Sequence, residues 1–406
     1  MEENLFLKQY NLVLIRYAEI WLKSQKVKIR MLKYLMSNIK NILKWKGIPF
    51  NKYQMSKDSS RVFFFFNNKD IPKAINILKN AFGVHSISPA IRTSNNIKNI
   101  TERTIEVGKE VLEKDDTFAL RVKRSGSHSF TSIEVAQIVG KAIIDEFPNL
   151  NLKVNLTQPR KQIFIEIRGE FTYIFSQIIK SKWGGLPIEP QKKMLVMDIG
   201  RLNDLTAGFL LLRRGSEIYP ILIDIKEERG ENDIWLSNWK EVREYIPYKR
   251  FQVSMINIHH ILKKIESELE DEQYFCGICR LIRFEILSKM LSNPNFHLYG
   301  KIRASVDGIS LNYSSFCPDN VDLDTLANNS LISKLPIFTP TIGFGERKLN
   351  DLSMKISTNL KKIDYCPFKP KDQEFDAEKL NKLYASLKID TMIEESIEKG
   401  LEIKKF

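Results

Sequence analysis

A chain of 406 residues exceeds one ordinary hydrophobic core, and roughly 150 residues per domain divides it into two to four. Its 43% hydrophobic and 28% charged content is that of a soluble globular protein, and no apolar run approaches the roughly 18 to 20 residues of a membrane-crossing helix. The net charge of +14 is uneven: residues 1–185 hold 31 Lys and Arg against 16 Asp and Glu, while residues 186–406 hold 32 against 33. A basic front half suits a polyanion, and a near-neutral back half points to a different task.

In chain order, apolar spacing predicts a strand at 11–17 and a helix over 24–43 carrying Val27, Ile29, Met31, Leu32, Leu35, Ile39 and Leu43. Residues 61–66 (RVFFFF) lack polar alternation, which predicts a strand covered on both faces. A helix over 71–81 and a strand over 84–91 complete an α+β unit, 1–90. A second unit, 91–183, holds a helix at 97–112, a strand at 117–122, a helix at 132–147 and strands at 162–168 and 172–177. Thr131 and Glu134 have the spacing of a helix capping box. Gly184-Gly185-Leu186-Pro187 breaks the pattern and reads as a linker. From Met194 the order becomes repeated strand and helix (194–197, 204–213, 218–223, 234–245, 251–256). That alternation implies a parallel sheet with crossover helices in a third unit, 184–406.

The stretch from Lys192 to Gly215 is a buried strand feeding a helix, joined by Asp198-Ile199-Gly200-Arg201-Leu202-Asn203-Asp204. Such junctions hold phosphate when small residues let backbone N–H groups approach it. The start, Met1-Glu2-Glu3-Asn4, lacks a basic segment followed by an apolar one, so a cytoplasmic protein with no membrane partner is expected. Cys276, Cys279, Cys317 and Cys366 are too few for a disulfide-built fold of this length and read as reduced thiols.

Several stretches resemble one family. "IRYAEIWLKSQKVKIRMLKYLMSNIKNIL" (15–43) is similar to the opening of the tRNA 4-thiouridine synthetases, ThiI, and the segment 117–175 resembles their THUMP domain. "GGLP" (184–187), "CGICRLIRFEI" (276–286), "LPIFTPTIGFGERKL" (335–349) and "DYCPFKP" (364–370) follow in the family's order. The resemblance implies α+β N-terminal domains, ferredoxin-like plus THUMP, followed by a doubly wound α/β domain of the PP-loop ATP pyrophosphatase type. It also implies an activity: ATP activates a tRNA uridine at its C4 oxygen, and sulfur replaces that oxygen. Many bacterial members append a rhodanese domain that delivers persulfide sulfur; here the chain runs to Phe406 with a charged helix expected, and no such domain is anticipated.

PP-loop members carry Ser-Gly-Gly-x-Asp-Ser at the junction, a motif that falls here on Ile199-Gly200-Arg201-Leu202-Asn203-Asp204. One glycine remains and the serines are gone. Arg201 places a Cβ and a long side chain where backbone should touch pyrophosphate, and Asp204 adds an anion at the helix start. Ile199, Gly200, Arg201, Asn203 and Asp204 thus read as a degenerate nucleotide loop, capped by Asn203 or Asp204, and ATP is not expected as a cofactor. Arg201 as a phosphate ligand is the alternative. The family's Thr-Gly-Glu stretch corresponds to Tyr299–Ser305, where Lys301 replaces an acidic residue.

Cys276 and Cys279 occupy the family's Cys-x-x-Cys, and Cys366 falls on its persulfide-handling cysteine, making Cys366 and Cys279 the candidate sulfur-handling residues. The resemblance to archaeal members implies that Cys276, Cys279 and Cys366 together hold an iron-sulfur cluster, with one coordination position left for sulfide; the alternative is small buried residues. Cys317 reads as structural, and His259, His260 and His297 lack ligand spacing. RNA-binding candidates are Arg16, Lys23, Lys26, Lys28, Arg30 and Lys33 in the first unit, and Arg121, Lys123, Arg124, His128, Arg160, Lys161 and Arg168 in the second. The implied partners are the acceptor end of tRNA and a sulfur donor or partner enzyme. Three functions stay open: a tRNA-binding member without its own adenylation, a working sulfurtransferase with an unorthodox nucleotide site, and a non-catalytic scaffold for a protein partner.

Overall fold

The computed structural model describes residues 9–227, 232–310, 335–363, 366–372, 374 and 376–406. The chain divides into two compact units, Met1–Pro187 and Ile188–Phe406.

In the first unit the strands are β1 (Leu12–Arg16), β2 (Lys52–Met55), β3 (Val62–Phe65), β4 (Ser86–Ser94), β5 (Thr117–Ser125), β6 (Lys153–Val154), β7 (Lys161–Arg168), β8 (Phe171–Phe175) and β9 (Ile179–Lys180). The helices are α1 (Gln25–Trp45), α2 (Ile71–Leu78), α3 (Ile97–Val111) and α4 (Ser132–Glu146). One sheet runs in the order β2-β3-β1-β4-β8-β7-β5-β6, with β9 added against β4. The long strand β4 makes it continuous: Ser86–Ala90 pair with β1, and Ile91–Ser94 pair with β8.

The phenylalanine run behaves as its pattern demands. Val62, Phe64 and Phe66 point into a core shared with Leu32, Leu35 and Ile39 of α1, whereas Phe63 and Phe65 join Leu12, Leu14, Tyr173 and Phe175 on the other face. Successive strand residues face opposite sides, so an unbroken apolar run needs cover on both. The first unit's helices lie with the first of these cores, the side where Met31, Leu32, Leu35, Ile39, Ile42 and Leu43 are buried at helical spacing. The helix α4 begins with a complete capping box: Thr131 N donates to Glu134 Oε2 at 2.6 Å, and Glu134 N donates to Thr131 Oγ1 at 3.2 Å.

The second unit holds β10 (Glu189–Asp198), β11 (Ser216–Asp224), β12 (Gln252–Asn257), β13 (Ile302–Val306), β14 (Ile337–Phe338) and β15 (Glu402–Lys405). Its helices are α5 (Leu202–Arg213), α6 (Asn232–Arg243), α7 (His259–Glu268), α8 (Phe275–Ser292), α9 (Glu346–Ile356), α10 (Ala377–Ser386) and α11 (Asp390–Gly400). The sheet order is β14-β13-β10-β11-β12-β15, parallel except for β15. The chain therefore ends in a strand rather than the expected charged helix, because α11 stops at Gly400 and β15 adds to the edge at β12. From β10 the units step outward through β11 to β12, and β13 then returns to the opposite flank of β10. The order reverses between β10 and β13, and in open α/β sheets the crevice beyond the carboxyl ends of such strands is where ligands sit. Among the described residues no helix is long and apolar enough to cross a membrane.

Candidate functional site

The loop 199–204 stands at this switch point. Asp198 ends β10 and Asp307 follows β13. The Arg201 side chain is turned inward and 1% exposed: its Nε donates to Asp204 Oδ2 at 3.1 Å, and one Nη donates to Asp204 Oδ1 at 2.7 Å and to Asp307 Oδ1 at 3.2 Å. From α8, the Arg280 guanidinium donates to the other oxygen of Asp307. Burial opposes the Asp307 charge, yet the guanidiniums of Arg280, Arg201 and Arg283 hold its carboxyl below the ordinary range.

Asp204 takes the backbone donors that a phosphate would want. Its Oδ2 accepts Ile199 N–H and its Oδ1 accepts Gly308 N–H, both at 3.2 Å. The helix N-cap is Arg201, in extended conformation and without a side-chain cap, so neither Asn203 nor Asp204 caps α5; they lie within its first turn. Gly308 presses against that turn so closely that an added Cβ would meet Asp204 N at 2.4 Å.

Gly200, the retained glycine, is needed for a different approach. It sits at φ +96°, and a Cβ there would lie 2.5 Å from the buried Trp235 indole of α6. Its N–H donates to Asp198 Oδ1 at 2.6 Å, and Trp239 Nε1 donates to Asp198 Oδ2 at 2.7 Å. Burial, then the nearby Asp204 charge, push the Asp198 carboxyl up to about 7. Next to Gly308, buried Thr341 donates its Oγ1 hydroxyl to the Ile309 carbonyl at 2.9 Å.

Lys301 does not belong to this crevice. It precedes β13 at the end of the sheet opposite Asp307 and donates to the His297 carbonyl at 2.9 Å. Val306 is five residues further along the strand, roughly 16 Å away. The stretch at the crevice is Asp307-Gly308-Ile309-Ser310, so the expectation built on Tyr299–Ser305 is corrected by about one strand length.

Cys276 and Cys279 lie in the first two turns of α8, partly buried, and Cys366 is also partly buried. Gly277 between the first two makes room for Leu380 of α10, whose side chain a Cβ would meet at 2.8 Å. Phe368 stacks on Phe275 with ring centroids 5.5 Å apart, and packs on His259 at 5.2 Å, which holds the segment after Cys366 beside the start of α8. Among the described residues no group of three or more His, Cys, Asp or Glu side chains is set to hold a metal. The Phe275-Phe368 stack holds the segment after Cys366 against α8. Burial holds the Lys226 ammonium below its ordinary value, against the opposing charges of Asp224 and Cys366. Cys317 lies outside the described residues.

In the first unit two of the expected RNA-binding residues are largely buried and paired. The buried Glu166 of β7 accepts from Arg16 Nη at 3.1 Å, Arg61 Nε at 3.1 Å and Arg168 Nε at 2.8 Å. Burial disfavours its charge, but Arg16, Arg61 and Arg168 prevail and hold the carboxyl at about 2. Arg168 also reaches Asp58 at 2.9 Å, and Asp58 accepts from Ser56, Ser60 and Ser125. With side chains 12% and 11% exposed, Arg16 and Arg168 join the first strands to β7 through Glu166.

Other cations brace the surface they stand on. Arg121 donates to Gln162 and to the Leu156 carbonyl, and Arg124 to the carbonyls of His128 and Phe130. Arg160 pairs with Asp116 at 3.3 Å, and Lys161 with Glu113 at 3.6 Å. Lys28 is buried beneath Trp21. Lys23, Lys26, Lys33 and Lys123 are exposed and form no ion pair among the described residues, and Arg30 is exposed as well.

Sequence reasoning missed Trp235, Trp239, Asp307, Gly308 and Arg280. The one available signal was Asp307-Gly308, a turn pair closing an apolar strand; the tryptophans look like ordinary helix residues until the fold places them.

Comparison with known proteins agrees with this architecture. Residues 12–88 match the ThiI ferredoxin-like domain and residues 94–177 match the THUMP domain. A probable tRNA sulfurtransferase of Methanosarcina mazei is 29% identical over 366 residues, covering 86% of this chain and 84% of its own. Another, from Thermococcus kodakarensis, is 28% identical over 376 residues, covering 89% and 92%. The crystal structure of a 4-thiouridine synthetase in complex with RNA and bound ATP shares the fold at a TM-score of 0.78 with 18% identity, covering 98% of this chain and 100% of that one. PH1313 from Pyrococcus horikoshii superposes with a TM-score of 0.62 at 22% identity, covering 85% and 99%. A ferredoxin-like segment, a THUMP segment and an α/β domain in that order, with relatives matched along most of their length, place this chain in the ThiI-like tRNA sulfurtransferase family.

Proposed function

We propose that the chain binds tRNA through residues 1–183, as modules 1–90 and 91–183, and acts in or beside 4-thiouridine formation without adenylating tRNA in its 184–406 module. The observation that carries this is the Asp204 carboxylate. It accepts the N–H groups of Ile199 and Gly308 and is paired with Arg201, so an internal anion stands where an incoming phosphate needs donors. Trp235 covers Gly200 from the other side. A triphosphate does not fit this arrangement: it would have to displace a buried, paired carboxylate whose removal leaves Arg201 unsatisfied. The excess of cations in residues 1–185, the THUMP match, and the RNA bound by the synthetase of the same fold support a tRNA partner.

Calorimetry with ATP and an adenylation assay on unmodified tRNA test the reading. No heat of binding and no adenylated tRNA are expected. Micromolar affinity that vanishes in Arg201→Ala would make Arg201 a phosphate ligand and defeat it. Mass spectrometry of tRNA nucleosides from a deletion strain then reports whether 4-thiouridine depends on the chain at all.

For the thiols, the same reading has Cys366, with Cys279 and Cys276 nearby, accept sulfur from a donor persulfide: the donor S–S bond breaks, the donor leaves as thiol, and the Cys366 thiolate becomes the persulfide. Incubation with a small-molecule persulfide should leave cyanide-releasable sulfur on the wild type and none on Cys366→Ala. Equal labelling of the two would remove Cys366 from this role.

A further inference from the structure

Where α10 and α11 meet α8, the charges do not balance. Glu285 of α8, its side chain 18% exposed, accepts the Tyr384 hydroxyl from α10. One turn further along α8, the Lys289 ammonium lies 3.6 Å from Glu285, 3.6 Å from Asp390 and 2.7 Å from Glu394, the last two on α11. Three carboxyls and a phenol therefore gather around one ammonium. Tyr384 and Asp390 reach the same place because only residues 387–389 separate α10 from α11, with Lys388 at φ +47°, in the left-handed region.

Burial disfavours a charge on Glu285, and the hydrogen bond to Asp390 and the Asp390 charge add to this, so the Glu285 carboxyl is raised to about 7. The same hydrogen bond favours Asp390 as the anion and holds its carboxyl below the ordinary range. One proton thus serves both groups: the Glu285 carboxyl donates to the Asp390 carboxylate while its Oε2 accepts the Tyr384 hydroxyl. Without that proton the two carboxylates repel, and Lys289 is already divided between them and Glu394.

We propose that Glu285 and Asp390 form a proton-held clasp that fastens the start of α11 to α8, closed while the proton is shared and loosened when it is lost. The helix it grips carries Cys276, Cys279 and Arg280, and Arg280 holds Asp307 at the switch point. The seating of the C-terminal helices on that helix therefore depends on pH in the neutral range. Once the clasp opens, Glu285 returns toward its ordinary 4.5, so the closed form binds the proton more tightly. Closure is favoured near pH 4.5, weakens by up to about ten-fold per pH unit as pH rises, and levels off above about 7.

Amide hydrogen exchange in the full chain, corrected for the pH dependence of chemical exchange, measures how often α11 opens. Protection in its first two turns should fall by about ten-fold or more between about pH 5 and about pH 8. Glu285→Gln keeps a donor for Asp390 and an acceptor for Tyr384 but cannot ionise, so its protection should stay at the acid level throughout. Asp390→Asn removes the charge that helps to raise Glu285, and the levelling-off should move to lower pH. Because the Asp390 side chain is 72% exposed, this variant decides the matter even where Glu285→Gln does not fold. Wild-type protection independent of pH overturns the clasp, as does a fall that survives in Glu285→Gln or keeps its midpoint in Asp390→Asn. A fall shared by α5 and α11 and abolished by Asp198→Asn assigns the proton to Asp198, the other carboxyl raised to about 7, and overturns the clasp as well.

Discussion

Asp204 and Asp198 stand a few residues apart and are governed by opposite forces. Asp204 is matched by Arg201 and by two backbone donors, so its removal takes two hydrogen bonds from a buried guanidinium. Asp204→Ala should cost about 3 to 5 kcal/mol, the range for breaking a buried ion pair from one side, and denaturant titration of the full chain reads it. Asp198 has no cation as close; burial and the Asp204 charge raise its carboxyl from 3.8 to about 7. A carboxyl raised on folding keeps its proton while the unfolded chain has lost it, so its contribution falls as pH rises from about 4 to about 7. Asp198→Asn should flatten that part of the stability profile. An unchanged slope between the two values would show that another group titrates there. Glu166 runs the other way: its carboxyl is lowered from 4.5 to about 2 by three guanidiniums that outweigh burial. Its contribution, about 3 kcal/mol for such a difference, is complete above pH 4.5 and is lost as pH falls toward 2, and Glu166→Gln should remove this acid sensitivity together with the stability.

At the level of elements, the segment after β13 closely approaches the first turn of α5, where Gly308 lies against the backbone of Asn203 and Asp204. Backbone cannot swing aside as a side-chain tip can. Gly308→Ala should therefore separate β13 from α5, and its thermal midpoint should drop by more than that of Gly343→Ala, a glycine with open space where the Cβ would go. Much of this layer was legible in the sequence. The helices α1, α3 and α4 follow from apolar spacing, the Thr131 capping box from its two residue types, and the β10-α5-β11-α6-β12 alternation from its punctuation. The strand β2 was not, because Lys52–Met55 is polar and half exposed at the sheet edge and has no alternation to betray it. Nor could the sequence tell that Arg16 and Arg168 meet at Glu166, some 150 residues from the first of them: an arginine on a strand reads as a surface charge until its partner is placed. Likewise the loop's substitutions were visible while their consequence was not. Arg201 looked like an obstruction pointing at a ligand, whereas folding turns it inward onto Asp204 and Asp307, two acids a hundred residues apart.

For the whole molecule, the uneven charge and the division at residues 187 and 188 lead to a separable thermodynamic signature. Two compact units, one strongly basic and one nearly neutral, are expected to unfold in two transitions, or in one broadened transition, when followed by calorimetry. A ligand that binds only the folded form raises the transition of the unit it binds, by about 2.7 kcal/mol when present at a hundred times its dissociation constant. Gly308→Ala supplies the assignment, since it should lower the second unit's transition and leave the first in place. With the transitions assigned, saturating tRNA should raise the first, and raising salt should abolish the shift because counterion release drives phosphate contacts. Millimolar ATP should move neither, with Asp204 already holding the loop amides and Trp235 resting on Gly200. An ATP-dependent rise confined to the second transition, absent in Arg201→Ala, would mean that the Arg201-Asp204 pair opens to admit a nucleotide, and the second unit would then be a working adenylating domain.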